Sequence, residues 1–198
     1  MEIHLRQRVI AYALRYKRLL GVGLFIVVIV TIFEVSGVRD HLSLAFIQQV
    51  ILQHQIGGLI LFIALFSLGN LIQIPGWLFL AAAVFALGRL WGGVVTYAAA
   101  VASCLVTFLM IRALGGDALR LLKNGLAIRI LRKLDDHPIA SVALLRTLFQ
   151  TAPALNYALA MSGIRLRSYL TGTLVGLPAP IALYCIFFDV LATGLHVR

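Results

Sequence analysis

Arg146 is a single charge inside the apolar run that opens residues 141–169, SVALLRTLFQTAPALNYALAMSGIRLRSY. A charge in such a run is costly and marks a functional-site hypothesis by default. A guanidinium presents a planar fork of donors that can hold a phosphate or carboxylate head bidentately. The same group can also cap carbonyls freed at a helix break, or reach for water, and both readings stay open. Gln150, Pro153, Asn156 and Tyr157 surround it in sequence. A weaker counterpart lies earlier, at Asn70, Gln73, Pro75 and Gly76. The amides in both groups can line a polar track for a headgroup, or satisfy backbone released where a proline breaks a helix.

Other chemistries are missing. There is no GxSxG, HExxH, P-loop or dinucleotide fingerprint. An intramembrane hydrolase needs a nucleophile–base or acid–base constellation, and neither proline-centred stretch carries a carboxylate or histidine. The five histidines (His4, His41, His54, His137, His196) are scattered at segment ends, with no pair at ligand spacing. Cys104 and Cys185 sit inside apolar runs and read as small core residues rather than a disulfide or a metal site. The expectation is a non-enzymatic protein with no cofactor and no metal.

Hydrophobic residues make up 62 % of the 198 and charged residues only 12 %. Soluble domains carry about 25 % charged residues, so this chain lacks the polar surface to cover a soluble globule. It reads as an all-α polytopic membrane protein. The net charge of +10 is spread in short basic clusters between apolar runs. That is the placement of the positive-inside rule, and it favours an anionic membrane surface over nucleic acid as electrostatic partner.

Residues 3–18 mix arginines with aliphatic and aromatic residues, as in a short amphipathic cytoplasmic helix. Residues 19–33 form an apolar run that, with its basic leader, suits a signal peptide cleaved near Val35-Ser36-Gly37 or an uncleaved first span. The apolar segments that follow favour the span, and 44–52 reads as a surface helix. Residues 56–74 are apolar again and stop at Pro75-Gly76. Only about a dozen apolar residues separate that break from Arg89, roughly 18 Å of helix, against a hydrocarbon core of about 30 Å. A re-entrant hairpin or a two-helix crossing follows. Residues 90–111 are long enough to span and contain a run of small residues suited to close packing. The interval 112–137, with six basic residues and three acids, is the expected cytoplasmic loop. Residues 139–152 form a second half-length segment, broken at Pro153, that returns through Met161 to Arg165 and Arg167. Residues 169–190 complete the set, with Gly172 and Gly176 at GxxxG spacing and a kink expected at Pro178 and Pro180. Pro75, Arg89 and Trp91 recur at constant offset as Pro153, Arg167 and Tyr169. Three matching positions make a faint repeat; with both tips re-entrant it would be an inverted duplication, as in broken-helix transporters. Trp77, Trp91, Tyr157 and Tyr169 read equally as interfacial belt aromatics or as ligand contacts.

The combination IPGWLFLAAAVFALGRLWG, the basic loop, and LLRTLFQTAPALNYALAMSGIRLRSYLTGTLVGLPAP resembles the VTT domain of the DedA superfamily, in its SNARE-associated Golgi protein branch. The resemblance covers roughly residues 56–190. It implies two re-entrant helical hairpins in inverted repeat, facing each other near mid-membrane, together with full transmembrane helices. It also implies lipid transport or scrambling in a bacterial plasma membrane. Pro75 and Gly76 match the first tip, Arg146 the second-hairpin arginine, Pro153 its tip, and Asn156-Tyr157 the pair that follows. Phe149-Gln150 stands where the branch usually has a proline, and Ala160 where a glycine is usual. No Asp or Glu lies between Asp40 and Asp117, so the resemblance does not extend to proton coupling through carboxylates at the first tip.

The expected organisation is an N-terminal part (1–55), a VTT/DedA-like membrane domain (56–192) and a short tail (193–198), with the N-terminus cytoplasmic. The expected function is movement of an anionic lipid or small anionic solute through the paired hairpins. Substrate contacts are expected at Arg146, Gln150, Pro153, Asn156, Tyr157, Asn70, Gln73, Pro75 and Gly76. The alternative is a non-transporting scaffold or assembly factor for envelope homeostasis, acting through the basic loop. Membrane lipids with anionic headgroups are the expected partners, and a homo-oligomer is compatible with both readings.

Overall fold

The computed structural model describes residues 2–35, 47, 49, 55–72, 74–121 and 125–194. Gln73 and most of the expected surface helix at 44–52 lie outside the described residues. Those that are described form helices and turns, with no strand among them. In chain order the helices are α1 (Glu2–Val35), α2 (Gln55–Leu71), α3 (Gly76–Gly115), a 3-10 turn (Ala118–Leu121), α4 (Gly125–Asp136), α5 (Pro138–Phe149), α6 (Pro153–Met161), α7 (Leu166–Gly176) and α8 (Pro178–Gly194). The amphipathic leader and the first span, expected as two pieces, form the single helix α1.

α3 is not straight. Gly88 has φ 81° and ψ 169°, a region open to glycine and closed to side chains with a Cβ. The chain reverses there. A Cβ built on Gly92 would lie 2.7 Å from the backbone of Ala83 and Val84, residues that a straight helix would keep more than 10 Å away at about 1.5 Å per residue. The arm 76–87 therefore folds back against 89–115. It is also packed against α2, through the rings of Phe62, Phe66 and Phe79 with centroids 5.0–6.2 Å apart.

α5 runs to a break at 150–152, α6 packs against α3, and a turn at Ser162–Arg165 follows, in which Gly163 takes φ 83°. α7 and α8 then run on through Leu177, whose φ −79° and ψ −29° stay in the helical region. α7 lies against α5 at the two glycines: a Cβ at Gly176 would meet Ala143 O at 2.4 Å, and one at Gly172 would meet Val142 Cβ at 2.6 Å. The GxxxG spacing is thus a close-contact seam. The short arms 76–87 (roughly 18 Å), α5 (roughly 18 Å) and α6 (roughly 14 Å) are each too short to cross a bilayer.

Two stretches, Gly76–Gly115 and Leu166–Gly194, are long and apolar enough to cross one. Many large apolar side chains on them, among them Leu90, Trp91, Val94, Leu183 and Phe187, face outward. A soluble protein has no means to solvate such a surface, whereas lipid does. Arg89 and Asp189, 3.7 Å apart, tie the Gly88 reversal to α8.

Around the Ser162–Arg165 turn, carbonyls left without helical partners are held by arginines. Arg120 Nε donates to Ser162 O at 2.8 Å, and Arg112 donates to Ile164 O. Each guanidinium also holds an aspartate: Arg120 binds Asp135 through two nitrogens, at 3.0 and 2.6 Å, and Arg112 pairs with Asp117. The Arg120 bond holds the Asp135 carboxyl below its ordinary range. Two of the loop's basic residues thus fasten the Ser162–Arg165 turn to its own chain.

Candidate functional site

The two breaks meet. A Cβ on Gly76 would lie 2.6 Å from Thr151 Oγ1 and 4.0 Å from Thr151 Cβ. Between them is a cavity of about 320 Å³ with walls at Pro75, Gly76, Trp77, Gln150, Thr151, Pro153 and Tyr184. That is within the usual range for a small-molecule pocket, about 300–1,000 Å³.

α6 and the arm 76–87 both begin at this cavity. The first N–H groups of a helix have no partner inside it and carry the positive end of its dipole. Proline fits the start of α6, where it removes only an N–H that would be unpaired anyway. Two N-termini open on this one small space. The C-terminus of α5 reaches it too, but its Arg146, Phe149 and Gln150 carbonyls already accept hydrogen bonds, which leaves the free N–H groups as the unpaired backbone there.

The positive charge stands one layer behind. Arg146 is fully buried. Its Nη1 donates to Gln150 O at 2.9 Å, its Nη2 to Tyr169 Oη at 2.7 Å, and its Nε more weakly to Thr173 Oγ1 at 3.4 Å. The guanidinium also lies over the Tyr169 ring, 5.3 Å from its centroid, a cation–π contact that strengthens when desolvated. Among the described residues no carboxylate pairs with it. The cation is therefore well hydrogen-bonded but not neutralised, and it caps the carbonyl at the break.

Gln150 is strained. Its φ of 50° with ψ −125° is a conformation otherwise left to glycine. It is the only described non-glycine residue at positive φ. Two backbone bonds hold it there: its N–H donates to Arg146 O at 2.8 Å, and its carbonyl accepts from the Arg146 side chain.

The expected site residues divide into two groups. Gln150, Pro153, Pro75 and Gly76 line the cavity. Arg146, Asn156, Tyr157 and Asn70 lie behind it and hold broken backbone or neighbouring side chains. Tyr157 Oη donates to Leu71 O at 2.6 Å, joining the second half to the end of α2. Asn156 donates to Thr151 O at 3.4 Å and accepts from Tyr169 Oη at 3.4 Å. Asn70 donates to Ser103 Oγ at 2.9 Å. Gln73 lies outside the described residues. The belt reading fails for Tyr157 and Tyr169: both are buried among helices, and Tyr169 stacks on Phe108 at 4.3 Å. Trp77 and Trp91 are 48 % and 69 % exposed, and Trp77 also lines the cavity.

The sequence reading did not single out Thr151, Tyr184 or Thr96. Thr151 follows Gln150 directly, so a tip of three residues rather than one was the missed signal. Thr96 lies on the buried small-residue face of α3, with Gly92, Ala99 and Ser103. It lines a gap of about 10 Å³ shared with Gly76, Gln150, Thr151 and Ile181. Ile181 also lines an apolar groove of about 590 Å³ between 89–115 and α8, with Arg89 at its wall. Cys185, in the same groove, and Cys104 are free thiols.

The VTT domain family matches residues 74–190, which takes in both breaks, the basic loop and α5 to most of α8. No curated protein and no solved structure matches the chain.

Proposed function

For this chain, which belongs to the VTT-domain family of DedA membrane proteins, we propose transport or scrambling of an anionic lipid or small anionic solute between the two hairpin tips. The observation that carries this reading is the meeting of two short-helix N-termini at one cavity backed by the unneutralised Arg146. An anionic head entering that space gains from both dipoles and from the buried cation, at a depth where water cannot screen them.

On this reading the half-length arms are re-entrant hairpins entering from opposite faces. The repeated order of arm, break, return arm, glycine turn and long helix is an inverted duplication. The two glycine reversals at Gly88 and Gly163 support it. The basic loop and the N-terminus lie on the cytoplasmic side of a bacterial inner membrane. The apolar groove between 89–115 and α8 suits an acyl chain, which favours a lipid over a free solute. No covalent chemistry is involved, and nucleic acid is not a partner.

The test is reconstitution of purified protein into liposomes with a fluorescent anionic lipid and an impermeant quencher. Inner-leaflet label should become accessible faster than in protein-free liposomes. The acceleration should be smaller in Arg146→Lys, which keeps the charge but not the fork of donors. Access no faster than in protein-free liposomes, with monodisperse protein, rejects the reading.

A further inference from the structure

Thr96 faces the tips from the 89–115 arm. It is 2 % exposed, and its hydroxyl has no hydrogen-bond partner among the described residues. Buried polar groups are normally paired, so a lone hydroxyl at a site needs an account. The gap it lines is about 10 Å³, room for a single water at most. Phe66, Leu80, Leu177 and Ile181 close the gap with carbon, so its polar character comes from Thr96 on one side and Gly76, Gln150 and Thr151 on the other.

The tips bring donors to this point, in the helix N–H groups and the Thr151 hydroxyl, with the Arg146 cation behind; the α5 carbonyls that end here, Arg146 O, Phe149 O and Gln150 O, already accept hydrogen bonds. The ligand atom that suits such surroundings is an acceptor. A threonine hydroxyl can donate one hydrogen bond to it. We propose that Thr96 is the third wall of the anion site. Its hydroxyl donates to an oxygen of a phosphate-type head held between the tips, and one water occupies that place in the resting protein. This rests on the reading of the tips as an anion site and adds a residue from a helix outside both hairpin tips.

Thr107 supplies the control. It too is buried with an unpaired hydroxyl, yet it lines neither the gap, the cavity nor the groove.

The experiment is thermal denaturation of detergent-purified protein titrated with inorganic phosphate and, separately, with short-chain dioctanoyl phosphatidate. A ligand of the folded state raises Tm in proportion to the logarithm of its excess over Kd. Thr96→Val should weaken the apparent affinity about tenfold or more, the loss expected for one hydrogen bond to a charged group. Thr96→Ser should stay within about threefold of the wild type, and Thr107→Val should match it. A response to phosphatidate alone assigns the place to lipid headgroups, and a response to both assigns it to phosphate itself. Wild-type affinity in Thr96→Val, or equal weakening in Ser and Val, overturns the role of Thr96 and leaves the anion site standing. No shift of the wild type by either probe removes the anion site and the role of Thr96 together.

Discussion

Gln150→Gly should make the protein more stable and less active. Gln150 sits at φ 50°, ψ −125°, which costs a residue with a Cβ about 1–3 kcal/mol. Glycine removes that strain. It also raises the entropy of the unfolded chain, at a cost of about 0.5–1 kcal/mol. The net gain is about 0.5–2 kcal/mol, because both hydrogen bonds that pin the tip are made by backbone atoms of Gln150 and survive the change. In a chain of this length each kcal/mol moves Tm by roughly 2–4 °C. Gln150→Ala keeps the Cβ and the strain, so the difference between the Gly and Ala variants isolates the backbone term from the lost amide. The assay is thermal unfolding of purified protein in detergent, run beside liposome transport. Gly should melt a few degrees above Ala, while both lose the cavity-facing amide and transport more slowly than the wild type. If Gly melts at or below Ala, the tip is not strained and the account of the break is wrong.

Further outcomes follow from the same contacts. Tyr157→Phe keeps the ring and removes the bond to Leu71 O, leaving a buried carbonyl at the end of α2 unpaired. Stability should fall by about 1–3 kcal/mol, read as a lower Tm. Gly176→Val places carbon where only 2.4 Å separates a Cβ from Ala143 O, so α5 and α7 must part. Yield of monodisperse protein should collapse, whereas Gly194→Val, with open space at its Cβ, should behave as the wild type. Asp135 has its folded-state pKa lowered by the Arg120 bond. Its contribution is therefore present above the ordinary carboxylate value, 3.8, and is lost as pH falls below it toward the depressed value. Asp135→Asn should lower Tm slightly at pH 7, with the gap to the wild type closing as pH falls below that value.

The breaks were legible because proline announces itself. Pro75 and Pro153 each stop an apolar run, and the structure breaks the chain at both. The Gly172/Gly176 seam was legible for a similar reason, since two small residues one turn apart leave a flat face. The reversal at Gly88 was not. One glycine in an apolar run looks like any other, and only the contact of Gly92 with Ala83 reveals the fold-back. Arg146, Asn156 and Asn70 were visible as chemistry-bearing residues, but the choice between lining a path and capping backbone depends on neighbours far along the chain. Thr173, Tyr169 and Ser103 supply those neighbours, at separations of 13 to 33 residues. Tyr169 read equally as a belt aromatic because residue type alone does not tell which way its hydroxyl points. Its hydroxyl contacts Cys104 O and Arg146 instead. Thr96 and Tyr184 reach the tips only through helix packing, which local sequence does not encode.

If movement occurs between the tips, a reversible covalent lock across them stops it. The Gly76 and Thr151 Cβ positions are 4.0 Å apart, within the 3.5–4.5 Å span of a disulfide. The measurement is liposome transport by a Gly76→Cys, Thr151→Cys double variant in which Cys104 and Cys185 are replaced by alanine, assayed oxidised and then reduced. Oxidation should stop anionic-lipid movement and reduction should restore it. Equal rates in the locked and unlocked states would contradict the claim and place the route elsewhere.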